Sequence, residues 1–144
     1  MTLIPPTTGR HRVPDASTVV LVLAGFETPD TTLLVLLHDM LEWWRRHFAA
    51  MNPGADADRT EKDLIAFGAY LVDREIASVL GESPGSGGPC PSPSYGQVAA
   101  RLVQGFVLFE MSRDAHWADF DPARLGADIN ALDTLTADIR NGRA

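Results

Sequence analysis

The chain has 144 residues, of which 45% are hydrophobic, enough for one globular domain with its own core and more than a disordered chain carries. Its formal net charge of −7 disfavours nucleic acid as a partner, because a phosphate backbone would require a basic surface. The single cysteine, Cys90, excludes an internal disulfide, and the longest apolar run, residues 19–26, is far below the ~20 residues of a membrane-spanning helix.

Basic residues are arginine almost throughout, with Lys62 the only lysine. Together with abundant Ala, Gly, Pro and Asp, this bias is typical of GC-rich coding and indicates an actinobacterial-type bacterium or its phage. Pro5 and Pro6 interrupt the first residues and no apolar stretch follows the charges there, so no signal peptide is expected. We therefore expect a cytoplasmic protein with no membrane segment.

The chain begins with a Pro- and Thr-rich segment, residues 1–14, which we interpret as a flexible arm before a single helical domain spanning 15–144. The secondary structure of the next segment, residues 15–26, is ambiguous. Asp15 could cap a short helix, whereas the β-branched residues that follow favour a strand. We favour a helix, because a strand needs a partner and the best candidate, residues 105–111, lies within a better helical pattern.

Residues 29–51 are predicted to form the central helix, because apolar side chains recur at helical spacing around most of its circumference. Thr28 is the expected N-cap and Pro29 the first helical residue, and Asn-Pro-Gly at 52–54 ends the helix. A helix with so wide an apolar arc must be covered on two or more sides. Its main apolar face consists of Leu33, Leu34, Leu37, Met40, Leu41, Trp44, Phe48 and Met51.

A further helix is predicted from Thr60, which forms a capping box with Asp63, to about Leu80, with Gly81 as its C-terminal cap. The Gly-, Pro- and Ser-rich residues 81–93 cannot supply a core and are expected to form a flexible connector. The expected buried face of this helix consists of Leu64, Phe67, Leu71, Val72, Ile76, Val79 and Leu80.

Two helices are predicted after the connector. The first begins with a capping box of Ser94 and Gln97, and the second with Asp121 as N-cap and Pro122 as the first helical residue. The predicted fold is therefore mainly α, a compact bundle of four to five helices around the helix at 29–51. The apolar stripe of the last helix consists of Leu125, Ile129, Leu132, Leu135 and Ile139.

The best candidates for a polar site are His38 with Glu42, one helical turn apart, and His116. Their spacing matches no known zinc or di-iron pattern. Asp56, Asp58 and Asp63 lack the glycine and the bidentate glutamate of a calcium loop, so we expect no metal and no cofactor. On the polar stripe of the long helix, His38 and Glu42 could equally form a solvent-exposed ladder with Arg46. Cys90 has no basic or histidine neighbour that would activate its thiol.

The best candidate for a protein interface is Trp43. It is adjacent to Trp44 on a helix, so the two rings point about 100° apart and cannot both face the same neighbour. If Trp44 is in the core, Trp43 is either packed at its flank or exposed as an anchor, with Leu36 and Met40 beside it.

The sequence favours a non-enzymatic helical interaction or assembly protein that binds a protein partner or itself. The grounds are an unusually wide apolar helix surface and the lack of a recognisable catalytic pattern. The alternative is a small helical enzyme or ligand-binding bundle that uses His38 and Glu42, or His116, in a pocket between helices.

Overall fold

The computed structural model describes residues 12–49, 57–81, 93–115 and 120–142, which form five helices and contain no strand. The predicted mainly α bundle is therefore confirmed, and the ambiguous segment after Asp15 is helical. The helices are α1 (Ala16–Leu23), α2 (Thr32–Ala49), α3 (Ala57–Leu80), α4 (Tyr95–Ala115) and α5 (Pro122–Arg140).

Several predicted helix ends are confirmed. The Asp15 side chain caps α1 by accepting a hydrogen bond from the Thr18 backbone N–H at 2.9 Å. Ser94 and Gln97 form the reciprocal capping box of α4, with N–O distances of 2.9 and 3.2 Å. Gly81 ends α3 with a φ of +75°, a backbone conformation that glycine adopts without a steric penalty. Asp121 and Pro122 begin α5 as predicted.

Two predicted helix starts are wrong. The cap of α2 is Thr31, whose hydroxyl accepts from the Leu34 N–H at 3.2 Å, so Thr28 and Pro29 lie in the connection before the helix. Helix α3 begins at Ala57 rather than at Thr60. Both errors have the same cause, since several residues near each start can cap a helix and the local sequence does not rank them.

Four helices pack in a closed cycle and the fifth lies against one side of it. Helix α1 packs against α2, α2 against α4, α4 against α5, and α5 against α1. Among the described residues, helix α3 packs mainly against α2 and α4. One face of α3 is therefore covered by the bundle, while its opposite face has no helix against it among the described residues.

Two helices supply most of the core. On α2, Leu37, Met40, Leu41 and Trp44 are fully or almost fully buried, as the sequence pattern predicts. Helix α4 is buried to a similar extent, because small residues let its neighbours approach closely on three sides. The buried apolar residues of α4 are Tyr95, Val98, Ala99, Ala100, Leu102, Val103, Phe106 and Val107.

The crossing of α3 over α4 depends on glycine. A Cβ atom at Gly96 would overlap the backbone carbonyl oxygen of Ala69 and the carboxylate of Asp73. That carboxylate accepts hydrogen bonds from the Ser94 hydroxyl at 2.6 Å and from the Gly96 N–H at 2.7 Å. A side chain in the middle of α3 thus helps to cap α4, at the helix end where a negative charge is favourable.

The residues before α1 are held against α5. Residues 13 and 14, placed in the arm by the sequence pattern, are buried. The Pro14 carbonyl accepts from the Tyr95 hydroxyl at 2.7 Å and from the Thr136 hydroxyl at 3.2 Å, and Arg140 donates to the Val13 carbonyl at 2.8 Å. Burial raises the pKa of Tyr95 well above its ordinary value, so this hydroxyl remains a hydrogen-bond donor.

Some predicted features lie outside the described residues. They are the arm at 1–11, the helix breaker at 52–54, the greater part of the expected connector (82–92) and His116. The predictions made for these residues stay predictions.

The close crossing of α3 and α4 predicts opposite effects for two Gly→Ala substitutions. Gly96→Ala should lower the free energy of unfolding by about 2–3 kcal/mol, because the added methyl group meets rigid backbone. Gly126→Ala is the matched control, since its Cβ would meet no atom within 4 Å, and it should raise stability by about 0.5–1 kcal/mol. Urea denaturation followed by circular dichroism measures both values. Equal effects would contradict this account of the crossing.

The packing also predicts that the chain behaves as one domain when it is cut. Cleavage at a specific protease site introduced within residues 82–92 would divide the chain between α3 and α4. Three pairs of packed helices join the two fragments: α1 with α5, α2 with α4, and α3 with α4. After cleavage, the two fragments should elute together from a gel-filtration column in native buffer, at the volume of the intact chain. Separate elution without denaturant would show two domains instead.

Candidate interaction surface

The outer side of α3 is the best candidate for a functional surface. Phe67 is 54% exposed and Tyr70 is 60% exposed, one helical turn apart on this helix. Both are large aromatic side chains that a core would ordinarily take up. Their exposure follows from the position of α3, which the bundle covers on one face only.

Trp43 of α2 joins this surface by stacking on Phe67. The two ring centroids are 5.8 Å apart and the rings are nearly parallel, at 21°. Trp44, the neighbouring residue, is fully buried and stacks on Phe48. The expected divergence of the two tryptophans is therefore present. Trp43 is partly buried and packs against the core, and its ring lies beside the exposed ring of Phe67. We call Trp43, Phe67 and Tyr70 the aromatic face.

The sequence pattern placed Phe67 in the buried face of α3, and this is wrong. The residues of α3 at the crossing are Gly68 and Ala69, both buried. A Cβ at Gly68 would lie 2.6 Å from the Met40 methyl carbon, so the backbone of α3 approaches α2 closely here. Large apolar residues define a helical pattern and glycine and alanine do not, so the pattern predicts burial for a phenylalanine that lies at the edge of the core.

Two residues proposed beside Trp43 have different positions. Leu36 is partly buried and packs against the core. Met40 is fully buried beneath α3, so it is part of the core and not of the surface. Of the three candidate interface residues, Trp43 is the one that contacts an exposed aromatic ring.

A groove runs along α3 beside the aromatic face. It has a volume of about 380 Å³ and is widely open to solvent. Its wall is mainly apolar, with Lys62 at one end of the groove and Asp73 at the other. The Asp73 carboxylate already accepts two hydrogen bonds from the start of α4. The lining residues are Lys62, Ile65, Ala66, Ala69, Tyr70, Asp73 and Gln97.

His38 and Glu42 do not line this groove, and His116 lies outside the described residues. His38 is partly buried on α2. Glu42 accepts a hydrogen bond from Arg45 at 2.8 Å, and Arg45 also forms a two-pronged ion pair with Glu110 of α4 at 2.9 Å. This pairing raises the pKa of Arg45 further. Glu42 thus pairs with Arg45, in place of the expected ladder through Arg46.

A smaller and more polar depression lies between α4 and α5, with a volume of about 40 Å³. Asp128 is buried at its edge, with Oδ1 3.9 Å from Nε of Arg101. Burial raises the pKa of Asp128, while Arg101 and Arg124 act in the opposite direction. The volume is enough for a single water molecule, so this depression is too small for a substrate.

Comparisons of this chain with known proteins and structures found no match. The chain matches no protein-family model, no curated protein and no solved structure. Within the described ranges, no three His, Cys, Asp or Glu residues are grouped so that they could hold a metal ion. None of the described helices combines the length and the apolar character needed to cross a lipid bilayer.

The burial of Asp128 predicts a pH dependence of stability. Its raised pKa means that the folded state binds this proton more tightly than the unfolded state does. The contribution of Asp128 to stability is therefore greatest at low pH, and it is lost as the pH rises through the native pKa. The free energy of unfolding of Asp128→Asn, relative to that of the wild type, should therefore increase as the pH rises from about 3 to about 7. Urea denaturation at each pH measures this difference.

The matched control for this series is Asp63→Asn, which removes an exposed carboxylate of α3. It separates the effect of the buried site from the general loss of one negative charge. If the difference between wild type and Asp128→Asn does not change with pH, Asp128 does not titrate differently in the folded chain.

Proposed function

We propose that this chain is a cytoplasmic, non-enzymatic interaction protein that binds a protein partner on the outer side of α3. The observation that carries the proposal is the stacked, partly exposed pair of Trp43 and Phe67, with Tyr70 and an apolar groove directly beside it. Trp and Tyr are the residues most enriched among those that dominate binding energy at protein interfaces.

The geometry of the aromatic face favours binding. Large aromatic side chains have few rotatable bonds, and stacking restricts them further, so little conformational entropy remains to be lost in a complex. Phe67 and Tyr70 lie on one face of a regular helix, where a partner helix could pack against both. Two of the exposed large hydrophobic side chains, Phe67 and Tyr70, therefore lie side by side on one helix.

The alternative of an enzyme or ligand-binding bundle has less support. It would require His38 and Glu42, or His116, to face a pocket. His116 lies outside the described residues, and Glu42 takes part in an ion pair with Arg45 on the surface of the bundle. Neither His38 nor Glu42 lines the groove on α3 or the depression between α4 and α5.

Site-specific photo-crosslinking tests the proposal. We place p-benzoylphenylalanine at position 70, within the aromatic face, and as a matched control at position 127, an exposed alanine of α5. Irradiation of the full chain in a lysate of its source organism should give a discrete protein adduct at position 70 and none at position 127. Mass spectrometry of the adduct identifies the crosslinked peptide, either of a second copy or of a different protein.

The substitution Phe67→Ser should weaken the interaction found in this way. Loss of a dominant aromatic side chain costs about 2 kcal/mol, which corresponds to about a thirtyfold rise in Kd. Circular dichroism melting shows whether the variant is folded. If position 70 gives no adduct beyond that of position 127, the outer side of α3 is not an interaction surface and the proposal fails.

A further inference from the structure

We propose that Asn141, directly after α5, is a site of spontaneous deamidation, which converts its side-chain amide to a carboxylate. The site is the dipeptide of Asn141 and Gly142, and both residues are exposed. It goes beyond the proposed function, because the aromatic face lies on α2 and α3 and takes no part in this chemistry.

The reaction needs only the protein and water. The backbone nitrogen of the residue after an asparagine loses its proton to hydroxide and attacks the side-chain carbonyl carbon, Cγ. The new N–C bond closes a succinimide ring, while the side-chain nitrogen takes up a proton from water and leaves as ammonia. Water then adds to one of the two ring carbonyls and opens the ring. The product is either aspartate or isoaspartate, whose main chain passes through Cβ and Cγ.

The three asparagines of the chain differ in the residue that follows them. Asn52 precedes a proline, whose nitrogen has no proton to lose. Asn130 is as exposed as Asn141, but it lies within α5 and precedes Ala131, whose methyl group hinders ring closure. Asn141 precedes Gly142, which has no Cβ and the widest choice of backbone angles. Exposure and the following residue together select Asn141.

The end of α5 controls how fast this dipeptide reacts. The Asn141 N–H donates to the Ala137 carbonyl at 3.0 Å, and the Gly142 N–H donates to the Ile139 carbonyl at 3.1 Å. The ψ of Asn141 is 2°, which turns the Gly142 nitrogen away from the Asn141 side chain. Ring closure therefore requires the last turn to open, and helix ends open at little cost in free energy.

No neighbouring group obstructs this opening. A Cβ atom built on Gly142 would meet no atom within 4 Å, so the dipeptide has space in which to rotate. The product adds one negative charge to the net charge of −7, at the end of a helix where a negative charge is unfavourable. Arg140, the preceding residue, donates to the Val13 carbonyl at 2.8 Å. The modification therefore lies beside the contact that holds the segment before α1.

Peptide mapping by mass spectrometry tests the proposal on the full, folded chain. The chain is incubated in mildly alkaline water enriched in heavy oxygen, which marks each carboxylate formed during the incubation. Label should accumulate at Asn141, as aspartate and isoaspartate, and remain absent from Asn52 and Asn130. A parallel incubation in urea should label Asn141 faster, because the hydrogen bonds at the end of α5 are absent there.

Two Gly→Ala variants test the role of the following residue. Gly142→Ala should reduce the labelling of Asn141 to the level of Asn130. Gly126→Ala is the matched control and should leave the labelling unchanged, because it makes the same substitution in α5, also where a Cβ meets no atom within 4 Å. Circular dichroism melting checks that both variants are folded.

Each outcome decides the inference. Labelling of Asn141 that is absent from the other asparagines and lost in Gly142→Ala supports it. The proposal is overturned if Asn141 keeps its amide in the folded chain, if Asn130 is labelled as fast, or if Gly142→Ala is labelled like the wild type. None of these results bears on the proposed function, whose own test is the crosslink from position 70.

Discussion

The close approach of α3 to α4 is the constraint on which the rest of the structure depends. Gly96 leaves no room for a side chain against the backbone of Ala69, and at Gly68 the backbone of α3 lies close to the end of the Met40 side chain of α2. Together with the buried side chains of Val72 and Ile76, these contacts attach one face of α3 to the bundle. Because that face is turned inward, the larger side chains Phe67 and Tyr70 remain outside. The same constraint that closes the core therefore creates the aromatic face and the groove.

Hydrogen bonds satisfy the polar backbone groups that this crossing buries in a mainly apolar interior. The first turn of α4 is buried, and its backbone N–H groups would otherwise lack partners, at a cost of about 1–3 kcal/mol for each buried group. Asp73 and the capping box of Ser94 and Gln97 supply acceptors for them. With the start of α4 fixed, the Tyr95 hydroxyl reaches the Pro14 carbonyl and holds the chain segment before α1. Three distant parts of the sequence thus meet at one helix end.

Helix caps formed by neighbouring residues could be predicted from the sequence, whereas contacts between distant residues could not. Asp15, Asp121 with Pro122, and the Ser94–Gln97 pair are caps whose partners lie within three residues, so their patterns were sufficient. The exposure of Phe67 was missed because it depends on which face of α3 carries the small residues that approach its neighbours. The role of Asp73 was missed as well, since its partners lie 21 and 23 residues away, beyond the Gly- and Pro-rich residues. A helical pattern contains no information about such pairings.

The exposed aromatic residues could be predicted only where a local rule of helix geometry applies. Trp43 could be recognised because it is adjacent to a core tryptophan on a regular helix, where the angle between neighbours is fixed. Phe26 could not, since in the sequence it ends an apolar run and looks like part of a buried segment. Its exposure results from Gly25, whose left-handed backbone ends α1 and directs the next residue away from the bundle. An apolar residue directly after a glycine that ends a helix is common, and it ordinarily packs back on the last turn of its own helix. Phe26 is 80% exposed instead, so its position depends on the folded connection between α1 and α2 and not on the helical pattern.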